Sequence, residues 1–214
     1  GISAGAVMAA VDRFVFRFRG KGTHAAHPEA GVDPIPLAAA FVQSVQTVVA
    51  RNLNPFSAGL VSVTHIEAGN TWNVISEEAL VEGTTRSMNA QERAHIRARV
   101  CALADQLAAA YGATVETDWY EGPPATVNDD FWAVYAEEKA KERNLNVVPA
   151  PKSLGGEDFA FYQEKVSGMF VLVGTGLSPA LHNPNFRVDL NALAPTAHYL
   201  AELVCGAFKK EKER

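Results

Sequence analysis

The histidines of this sequence can take part in more kinds of chemistry than its other side chains, because a neutral imidazole binds metals and exchanges protons near pH 7. His24 and His27 stand three residues apart in a glycine-rich loop, residues 20–28, where small neighbours leave them accessible. This spacing can chelate a metal on a helix, but Pro28 opposes a helix here, so functional and structural roles are both open. His182 follows a buried apolar run, a position that favours a functional role. The other histidines, predicted to have surface or packing roles, are His65, His95 and His198.

Carboxylate, amide and guanidinium side chains form a second set of candidates. Glu157 and Asp158 precede a short predicted helix, and capping is the simpler role for them, with support of a metal ligand as the alternative. Asn73 lies in a turn, where asparagine is usually structural. Arg86 ends a predicted strand. It is either a solvated charge or a guanidinium that binds a carboxylate through two hydrogen bonds. The sequence contains no Walker loop and no dinucleotide-binding glycine motif.

Two regions of different pattern must position these residues. In the first, residues 12–120, two-residue and helical hydrophobic periods follow the order β-α-β-β-α-β. This order is that of the ferredoxin-like arrangement, in which two helices cover one face of a four-stranded antiparallel sheet. Asp33 and Asn89 are the predicted N-caps of the two helices. The predicted strands cover residues 11–19, 60–68, 79–86 and 114–119, and Gly112 ends the second helix.

The second region follows a linker at residues 121–124 and has the pattern of an α/β domain. Residues 169–174 form a continuous apolar run, which predicts a strand covered on both faces. The other predicted elements are a helix from Asp129 or Asp130, a short strand near Val147 and Val148, and a last helix over residues 193–208. Because so few strands cannot make a doubly covered sheet, we expect further strands to come from outside this sequence.

Composition excludes several classes of function. The chain has 214 residues, 48% of them hydrophobic, and no apolar run reaches the roughly 18 residues of a membrane span. The net charge of −5 opposes nucleic acid as a partner. Cys101 and Cys205 lie far apart in predicted helices, which indicates neither a disulfide framework nor a metal knuckle. We expect two buried thiols in a reducing, cytoplasmic compartment.

Six segments together resemble the metal-dependent amidohydrolases of the aminoacylase/carboxypeptidase family, in the branch with hippurate hydrolase and auxin-conjugate hydrolases. In order along the chain, the segments are Gly20-Lys21-Gly22-Thr23-His24-Ala25-Ala26-His27-Pro28, Asp33-Pro34, Gly69-Asn70-Thr71-Trp72-Asn73-Val74-Ile75, Gly83-Thr84-Thr85-Arg86-Ser87, Gly156-Glu157-Asp158-Phe159 and Leu181-His182-Asn183-Pro184. The resemblance implies a catalytic α/β metallopeptidase-type domain interrupted by a ferredoxin-like lid that dimerises. Residues 12–120 would be the lid, and residues 1–11 and 121–214 would be the C-terminal part of the catalytic domain.

The resemblance also implies the chemistry of the site. In that family two divalent metal ions (Zn, Mn, Co or Ni) polarise an amide carbonyl and activate water, and a glutamate is the general base. His182 corresponds to the C-terminal metal ligand. His24 corresponds to a lid histidine that reaches the neighbouring subunit's site and stabilises the oxyanion. Asn73 corresponds to a lid residue near the substrate, and Arg86 to a substrate-carboxylate contact or a structural residue.

The sequence departs from the family pattern at two points. Ser76 stands where a proline usually follows Asn-Val-Ile, which affects only the local turn. The family's first metal motif (His-x-Cys-Gly-His-Asp) does not occur in the 214 residues. The resemblance places this motif, the family's Glu-Glu pair and a further histidine ligand before Gly1. Because a catalytic zinc ion needs about three protein ligands, we expect the chain to be part of a longer protein and to be inactive alone.

Two functional hypotheses follow. The first is hydrolysis of the amide bond of N-acyl amino acids, hippurate-like or related short peptide-like amides, by a homodimer or higher homo-oligomer joined through the lid. The second, which the missing ligands motivate, is a non-catalytic ferredoxin-like dimerisation or binding module. Neither hypothesis involves nucleic acid or a membrane.

Overall fold

The computed structural model describes residues 1–176, 178–179 and 181–210, within which the chain forms eight strands and five α-helices. The strands are β1 (Gly5–Met8), β2 (Ala10–Arg19), β3 (Thr23–His24), β4 (Gly59–Ala68), β5 (Val74–Ile75), β6 (Glu78–Ser87), β7 (Thr114–Glu121) and β8 (Thr126–Asn128). The helices are α1 (Pro34–Asn52), α2 (Ala90–Ala110), α3 (Asp130–Glu142), α4 (Phe159–Gln163) and α5 (Leu193–Lys210). Short 3₁₀ turns cover Pro28–Ala30 and Leu190–Ala192.

Contacts within the chain divide the described residues into two units. The larger unit contains residues 8–126 and 153–161, and the smaller unit contains residues 1–7, 127–152 and 162–214 as far as they are described. The predicted ranges 1–11, 12–120 and 121–214 assign catalytic and lid roles. A division by compactness does not test those roles, so the ranges stay predictions. Residues 177, 180 and 211–214 of the last range lie outside the described part.

The larger unit is built on a four-stranded antiparallel sheet in the order β4-β6-β2-β7. Strand β2 is central and pairs with β6 along its whole length, from Ala10 opposite Ser87 to Arg19 opposite Glu78. The long elements follow the expected β-α-β-β-α-β order, with α1 between β2 and β4 and α2 between β6 and β7. The two-residue strands β3 and β5 pair with each other in a separate sheet.

Both long helices of this unit begin at the predicted residues. Asp33 accepts a hydrogen bond from a backbone N–H in the first turn of α1, and Pro34 occupies the first helical position, where its missing N–H has no helical partner to lose. Asn89 caps α2 in the same way at 2.8 Å. Gly112, just beyond α2, has a φ of 72°, the left-handed conformation that glycine adopts without strain. Short-range capping chemistry therefore sets the limits of these helices.

Alternation along β2 gives the sheet an aromatic face. Phe14, Phe16 and Phe18 are fully buried, and each contacts Phe41 of α1, with ring centroids 6.5, 5.2 and 5.6 Å apart respectively. Tilted and edge-on contacts of this kind are favourable between aromatic rings. Gly83 of β6 lies opposite Phe14, and a Cβ on Gly83 would lie 2.3 Å from the Phe14 ring. Only glycine leaves room for that ring.

The other face of the sheet carries cross-strand ion pairs. Arg17 donates to Asp118 of β7 at 2.6 Å, and Arg19 donates to Glu116 at 2.7 Å. Each carboxylate side chain is about half exposed, so solvent screens these pairs and they contribute little to stability. The aromatic face therefore supplies most of the stabilisation of the larger unit.

The smaller unit packs helix α3 against α5. Its core contains Ile2, Ala133, Ala136, Ala140 and Tyr199. The Tyr199 hydroxyl donates to the Ala136 carbonyl at 2.9 Å, and burial raises the pKa of Tyr199 to about 12. Alanines on α3 give the tyrosine ring of α5 the space to lie against the helix.

The predicted strand near Val147 and Val148 is wrong. These residues form no strand, and an isolated parallel bridge joins Ile2 to the following Pro149. The Ile2 N–H donates to the Val148 carbonyl at 3.0 Å, and the Ala150 N–H donates to the Ile2 carbonyl at 3.3 Å. This isolated bridge lacks the further backbone bonds that make a strand.

The prediction of a doubly covered strand at residues 169–174 is also wrong. The segment forms no strand in the described part of the chain, and its residues are half-buried or exposed. Leu172 exchanges hydrogen bonds with Gly1, and the Phe170 N–H donates to the Asn128 side chain at 2.7 Å. A strand needs a neighbouring strand that continues such bonds, and these partners are one residue's backbone and one side chain.

Helix α5 presents an apolar stripe to solvent. Leu193, Leu200, Val204 and Phe208 recur at helical spacing and are between 43% and 76% exposed. The helix is nevertheless amphipathic, since Tyr199 is buried on its other side. Across residues 1–176, 178–179 and 181–210, we find no helix with both the length and the apolar character to cross a membrane.

The cysteines are both free thiols, but their surroundings differ. Cys101 is half-buried, and burial raises the pKa of its thiol. Cys205 is exposed on α5, so the prediction that it is buried is wrong. The expectation rested on the absence of a disulfide or metal pattern, and such an absence does not determine which side of a helix a thiol occupies.

Replacing Phe41 with alanine should lower the free energy of unfolding of the larger unit by about 3–5 kcal/mol, because the substitution leaves a cavity between three buried rings. Phe56→Ala is the matched control, since Phe56 is 99% exposed, and its effect should stay within about 0.5 kcal/mol. Urea unfolding followed by circular dichroism measures both. Equal losses in the two variants would contradict this placement of the core.

Candidate functional site

A short β-ladder brings two predicted site residues together in the larger unit. Strands β3 and β5 are antiparallel, with His24 opposite Val74. The N–H of Ala25 donates to the carbonyl of Asn73 at 3.0 Å. His24 and Asn73, which are far apart in the sequence, are therefore backbone neighbours. The ladder formed by β3 and β5 is called the β3–β5 ladder below.

His24 has one ring nitrogen committed to its own loop. Its Nδ1 accepts a hydrogen bond from the Ala26 N–H at 3.1 Å. This bond requires Nδ1 to be unprotonated, so a neutral ring carries its proton on Nε2. The His24 side chain is exposed, and it therefore presents an Nε2–H donor at the surface of the ladder.

His27 is a neighbour of His24 with a separate environment. Its ring centroid lies 6.0 Å from that of His24, and its Nδ1 lies 3.6 Å from Glu29 Oε1. Residues 28–30 form a single 3₁₀ turn, so the two histidines do not share a helix face, as Pro28 predicted.

Ser76 orders the turn in which the family usually has proline. Its Oγ donates to the Glu78 carbonyl at 2.6 Å and accepts from the Glu78 N–H at 3.2 Å. These two bonds restrain a backbone that proline would restrain through its ring. The departure at Ser76 is therefore compensated locally.

Trp72 was not a candidate from the sequence, yet its placement is unusual. Its indole is 92% exposed beside Asn73, and the nearby Val74 is 45% exposed. The structure therefore places a large exposed aromatic side chain next to the candidate site residue Asn73. The signal available in the sequence was a tryptophan in an otherwise polar turn, Gly69-Asn70-Thr71.

Arg86 is bound to main-chain carbonyls within the larger unit. Its Nε donates to the Leu154 carbonyl at 3.1 Å, and its Nη1 donates to the Thr85 carbonyl at 2.9 Å and to the Thr84 hydroxyl. The side chain is half-buried, and this burial lowers the pKa of Arg86, although the nearby Asp12 carboxylate opposes the shift. Its predicted contact with a substrate carboxylate stays a prediction.

Glu157 and Asp158 form the turn that precedes α4. The Glu157 Oε1 accepts from the Phe159 N–H at 3.4 Å, and the carbonyls of Glu157 and Asp158 accept from Ala160 and Phe161. These contacts favour the capping role for Glu157. The Asp158 side chain is exposed.

His182 belongs to the smaller unit, whereas His24, Asn73 and Arg86 belong to the larger one. It is exposed in a loop and has a φ of 67°, in the left-handed region that few non-glycine residues adopt. The Asn183 side chain accepts from the Asn185 N–H at 2.9 Å and closes the turn that follows. Strained backbone at a histidine supports the hypothesis of a functional role.

The described residues do not by themselves fit the two metal ions that the resemblance implies. In residues 1–176, 178–179 and 181–210, no three or more His, Cys, Asp or Glu side chains are grouped so that they could hold a metal ion. One histidine supplies one of the roughly three ligands that a catalytic zinc ion needs. The ligand role of His182 stays a prediction.

The chain belongs to the peptidase family M20/M25/M40, whose family model matches residues 21–205. The matched range contains His24, Asn73, Arg86 and His182. This match confirms the family resemblance carried by the sequence motifs.

Two relatives define the similarity to named enzymes. The N-acetylcysteine deacetylase of Bacillus subtilis (strain 168) is 39% identical over 203 residues, which cover 95% of this chain and 53% of the relative. The N-acetyldiaminopimelate deacetylase of Pediococcus pentosaceus is 29% identical over 195 residues, which cover 90% of this chain and 51% of the relative. The chain thus spans about half the length of the relatives it matches.

A solved structure gives the same picture of the fold. The Bacillus subtilis YXEP protein, described as a dinuclear metal binding peptidase from the M20 family, matches with a TM-score of 0.81 and 35% identity. The match covers 95% of this chain and 51% of that chain. The mixed α/β fold predicted from the sequence is therefore that of an M20 peptidase.

Proposed function

We propose that this chain is part of a metal-dependent hydrolase that cleaves the amide bond of N-acyl amino acids. The observation that carries the proposal is the 39% identity to an N-acetylcysteine deacetylase across 95% of this chain. The relative from Pediococcus is likewise named for removal of an acetyl group from an amino acid. Both substrate names describe an acetyl group on an amino acid, which supports N-acyl amino acids as the substrate class. Hippurate-like amides are proposed as further members of this class.

Two divalent metal ions, Zn, Mn, Co or Ni, are proposed for the full-length protein, with His182 as one ligand. The YXEP protein is named as a dinuclear metal binding peptidase, which supports the count. Metal ions in such a site polarise the amide carbonyl and lower the pKa of bound water. The other ligands would come from the half of the family length that this chain does not span.

His24 is proposed to stabilise the oxyanion that develops on the amide carbonyl during attack by water. Its Nδ1 is held by the Ala26 N–H, so the Nε2–H is the donor that the ring can offer. A donor that is already oriented stabilises developing charge without reorganisation. Asn73, fixed beside His24 by the β3–β5 ladder, is proposed to contact the substrate.

The larger unit is proposed to be a ferredoxin-like lid that joins two copies of the protein. Four antiparallel strands in the order β4-β6-β2-β7 with the helices α1 and α2 support this assignment. In a homo-oligomer joined in this way, the β3–β5 ladder of one subunit would serve the site of its neighbour. This arrangement accounts for an exposed His24 that has no metal site in its own unit.

A non-catalytic dimerisation or binding module is the alternative. It is favoured by one observation, the lack of any group of metal-ligating side chains in the described part of the chain. The two functions differ in what the full-length protein does with metal and substrate, which the following experiment measures.

The full-length protein supplied with Zn²⁺, Mn²⁺ or Co²⁺ should release the amino acid from N-acetylcysteine, other N-acetyl amino acids or hippurate. The 214-residue chain alone should retain no metal after dialysis and should release no amino acid, because it lacks most of the metal ligands. Free amino groups and metal content are measured for both. A metal-loaded full-length protein that is inactive on the whole panel would favour the binding module, and an active 214-residue chain would overturn its expected inactivity.

In the full-length protein, His24→Ala should lower kcat about 100-fold with unchanged metal content, as for loss of an oxyanion donor. His182→Ala should instead lower the metal content, because it removes a ligand. His27→Ala is the matched control, an exposed histidine of the same loop, and it should behave as the wild type. Loss of metal in His24→Ala, or an equal loss of kcat in His27→Ala, would contradict the role of His24.

Sedimentation of the full-length protein should show a dimer or a higher oligomer. The expectation follows from a site that needs His24 from a neighbouring subunit. Activity is measured over the same range of concentrations. A strict monomer with full activity would refute the contribution of one subunit to the site of another.

A further inference from the structure

Val74 is the cross-strand neighbour of His24 in the β3–β5 ladder. The bond from the Ala25 N–H to the Asn73 carbonyl lies beside this pair, so His24 and Val74 form a non-hydrogen-bonded pair. In such a pair the Cα atoms are only about 4.5 Å apart, and the two side chains leave the ladder on the same face. The opposite strand therefore places the methyl groups of Val74 beside the imidazole of His24.

The two faces of the ladder have different surroundings. Thr23 and Ile75 point to the other face, because side chains alternate along a strand, and both are half-buried. A Cβ on Gly31 would lie 2.6 Å from the Thr23 methyl carbon, so this face packs closely on backbone of the larger unit. His24 and Val74 are exposed, the latter at 45%. The ladder thus packs through one face and presents the imidazole and the valine on the other.

Backbone bonds hold the ladder at both ends. At one end the Ala25 N–H donates to the Asn73 carbonyl at 3.0 Å, and at the other end the Gly20 N–H donates to the Glu77 carbonyl at 2.8 Å. The imidazole and the valine are therefore fixed relative to each other before any ligand binds. Such preorganisation favours a ligand that carries a hydrogen-bond acceptor and an apolar group at a matching separation.

An N-acyl amide carries such a pair of features. Its carbonyl oxygen accepts hydrogen bonds, and its acyl chain is attached to the same carbon as that oxygen. When the oxygen accepts from Nε2 of His24, the acyl chain is the nearest apolar part of the substrate. The amino-acid side chain is farther away, because the amide nitrogen and the α-carbon separate it from the carbonyl carbon. Val74 has no polar atom that could compete for the oxygen, and its methyl groups cover one side of the hydrogen bond from water.

We propose that Val74 determines which acyl groups the enzyme accepts, by contacting the acyl chain of the substrate whose carbonyl oxygen accepts from His24. This role rests on the proposed function, in which the β3–β5 ladder of one subunit serves the site of its neighbour. Exposed valines are common on protein surfaces, and this one is distinguished by its fixed place beside a hydrogen-bond donor. The size of the side chain at position 74 then sets the room for the acyl chain.

The test compares Val74→Ala and Val74→Ile in the metal-loaded full-length protein, with N-acetyl-, N-propionyl- and N-butyrylcysteine as substrates. Alanine removes two methyl groups and should raise the ratio of kcat/KM for the butyryl over the acetyl substrate about tenfold. Isoleucine adds one methylene, keeps the β-branched shape that suits a strand, and should lower that ratio about tenfold. In a second series, the N-acetyl derivatives of cysteine, leucine and phenylalanine, the ratios of kcat/KM should change by less than about threefold.

Val127→Ala is the matched control, because Val127 is a valine that is 49% exposed on β8, a strand outside the ladder. Its ratios should equal those of the wild type in both series. Circular dichroism and metal content are measured for every variant. If one Val74 variant does not fold, the other decides the question, since the two should shift the acyl ratio in opposite directions.

Several outcomes would overturn the proposal. Acyl ratios of folded Val74 variants within about threefold of an active wild type would remove the role of Val74 and leave the proposed function standing. A shift confined to the amino-acid series would assign Val74 to the other side of the amide bond. An equal shift in Val127→Ala would show that the effect does not depend on the place beside His24. A wild type that is inactive on both series would remove the proposed function, and the specificity role with it.

Discussion

The pairing of β2 with both β6 and β7 is the interaction on which the larger unit depends. Through this register the phenylalanines of β2 face α1, and Arg17 and Arg19 face the carboxylates of β7. A slip by one residue would exchange the two faces and bury the arginines. The same register places Arg86 opposite Val11, beside the strand against which Gly156 lies. Core formation and the placement of the candidate residues therefore have one cause.

The sequence predicted the elements whose limits are set locally. Alternation marked β2, and the caps Asp33 and Asn89 marked the starts of α1 and α2, because a cap is satisfied within one helical turn. The failures lie at residues 147–148 and 169–174, where strand formation depends on a neighbour that supplies hydrogen bonds along the whole segment. An apolar run indicates that a segment has side chains to bury. It does not indicate whether a neighbouring strand is present to pair with the segment. The exposed stripe on α5 has the same origin.

The candidate site shows a similar division. Motif resemblance selected His24, Asn73, Arg86 and His182, but spacing gave no reason to bring the first two together. The β3–β5 ladder does so with only two residues in each strand, too short for a periodic signal. Trp72 escaped notice because exposure cannot be read from a residue's type. The contacts of Arg86 with Leu154 were equally hidden, since they join residues 68 positions apart through backbone carbonyls, which every residue possesses.

The contact between Phe14 and Gly83 restricts which substitutions these two positions can accept during evolution. Any side chain at position 83 would meet the ring of residue 14 and the carbonyl of Ser62, each 2.3 Å from the new Cβ. Shrinking the ring would relieve only the first of these collisions, because the second is with backbone. Compensation by a partner substitution is thus incomplete, and the glycine is the less replaceable member of the pair. Among divergent homologues, the aromatic residue can vary in size while its neighbour across the ladder stays fixed.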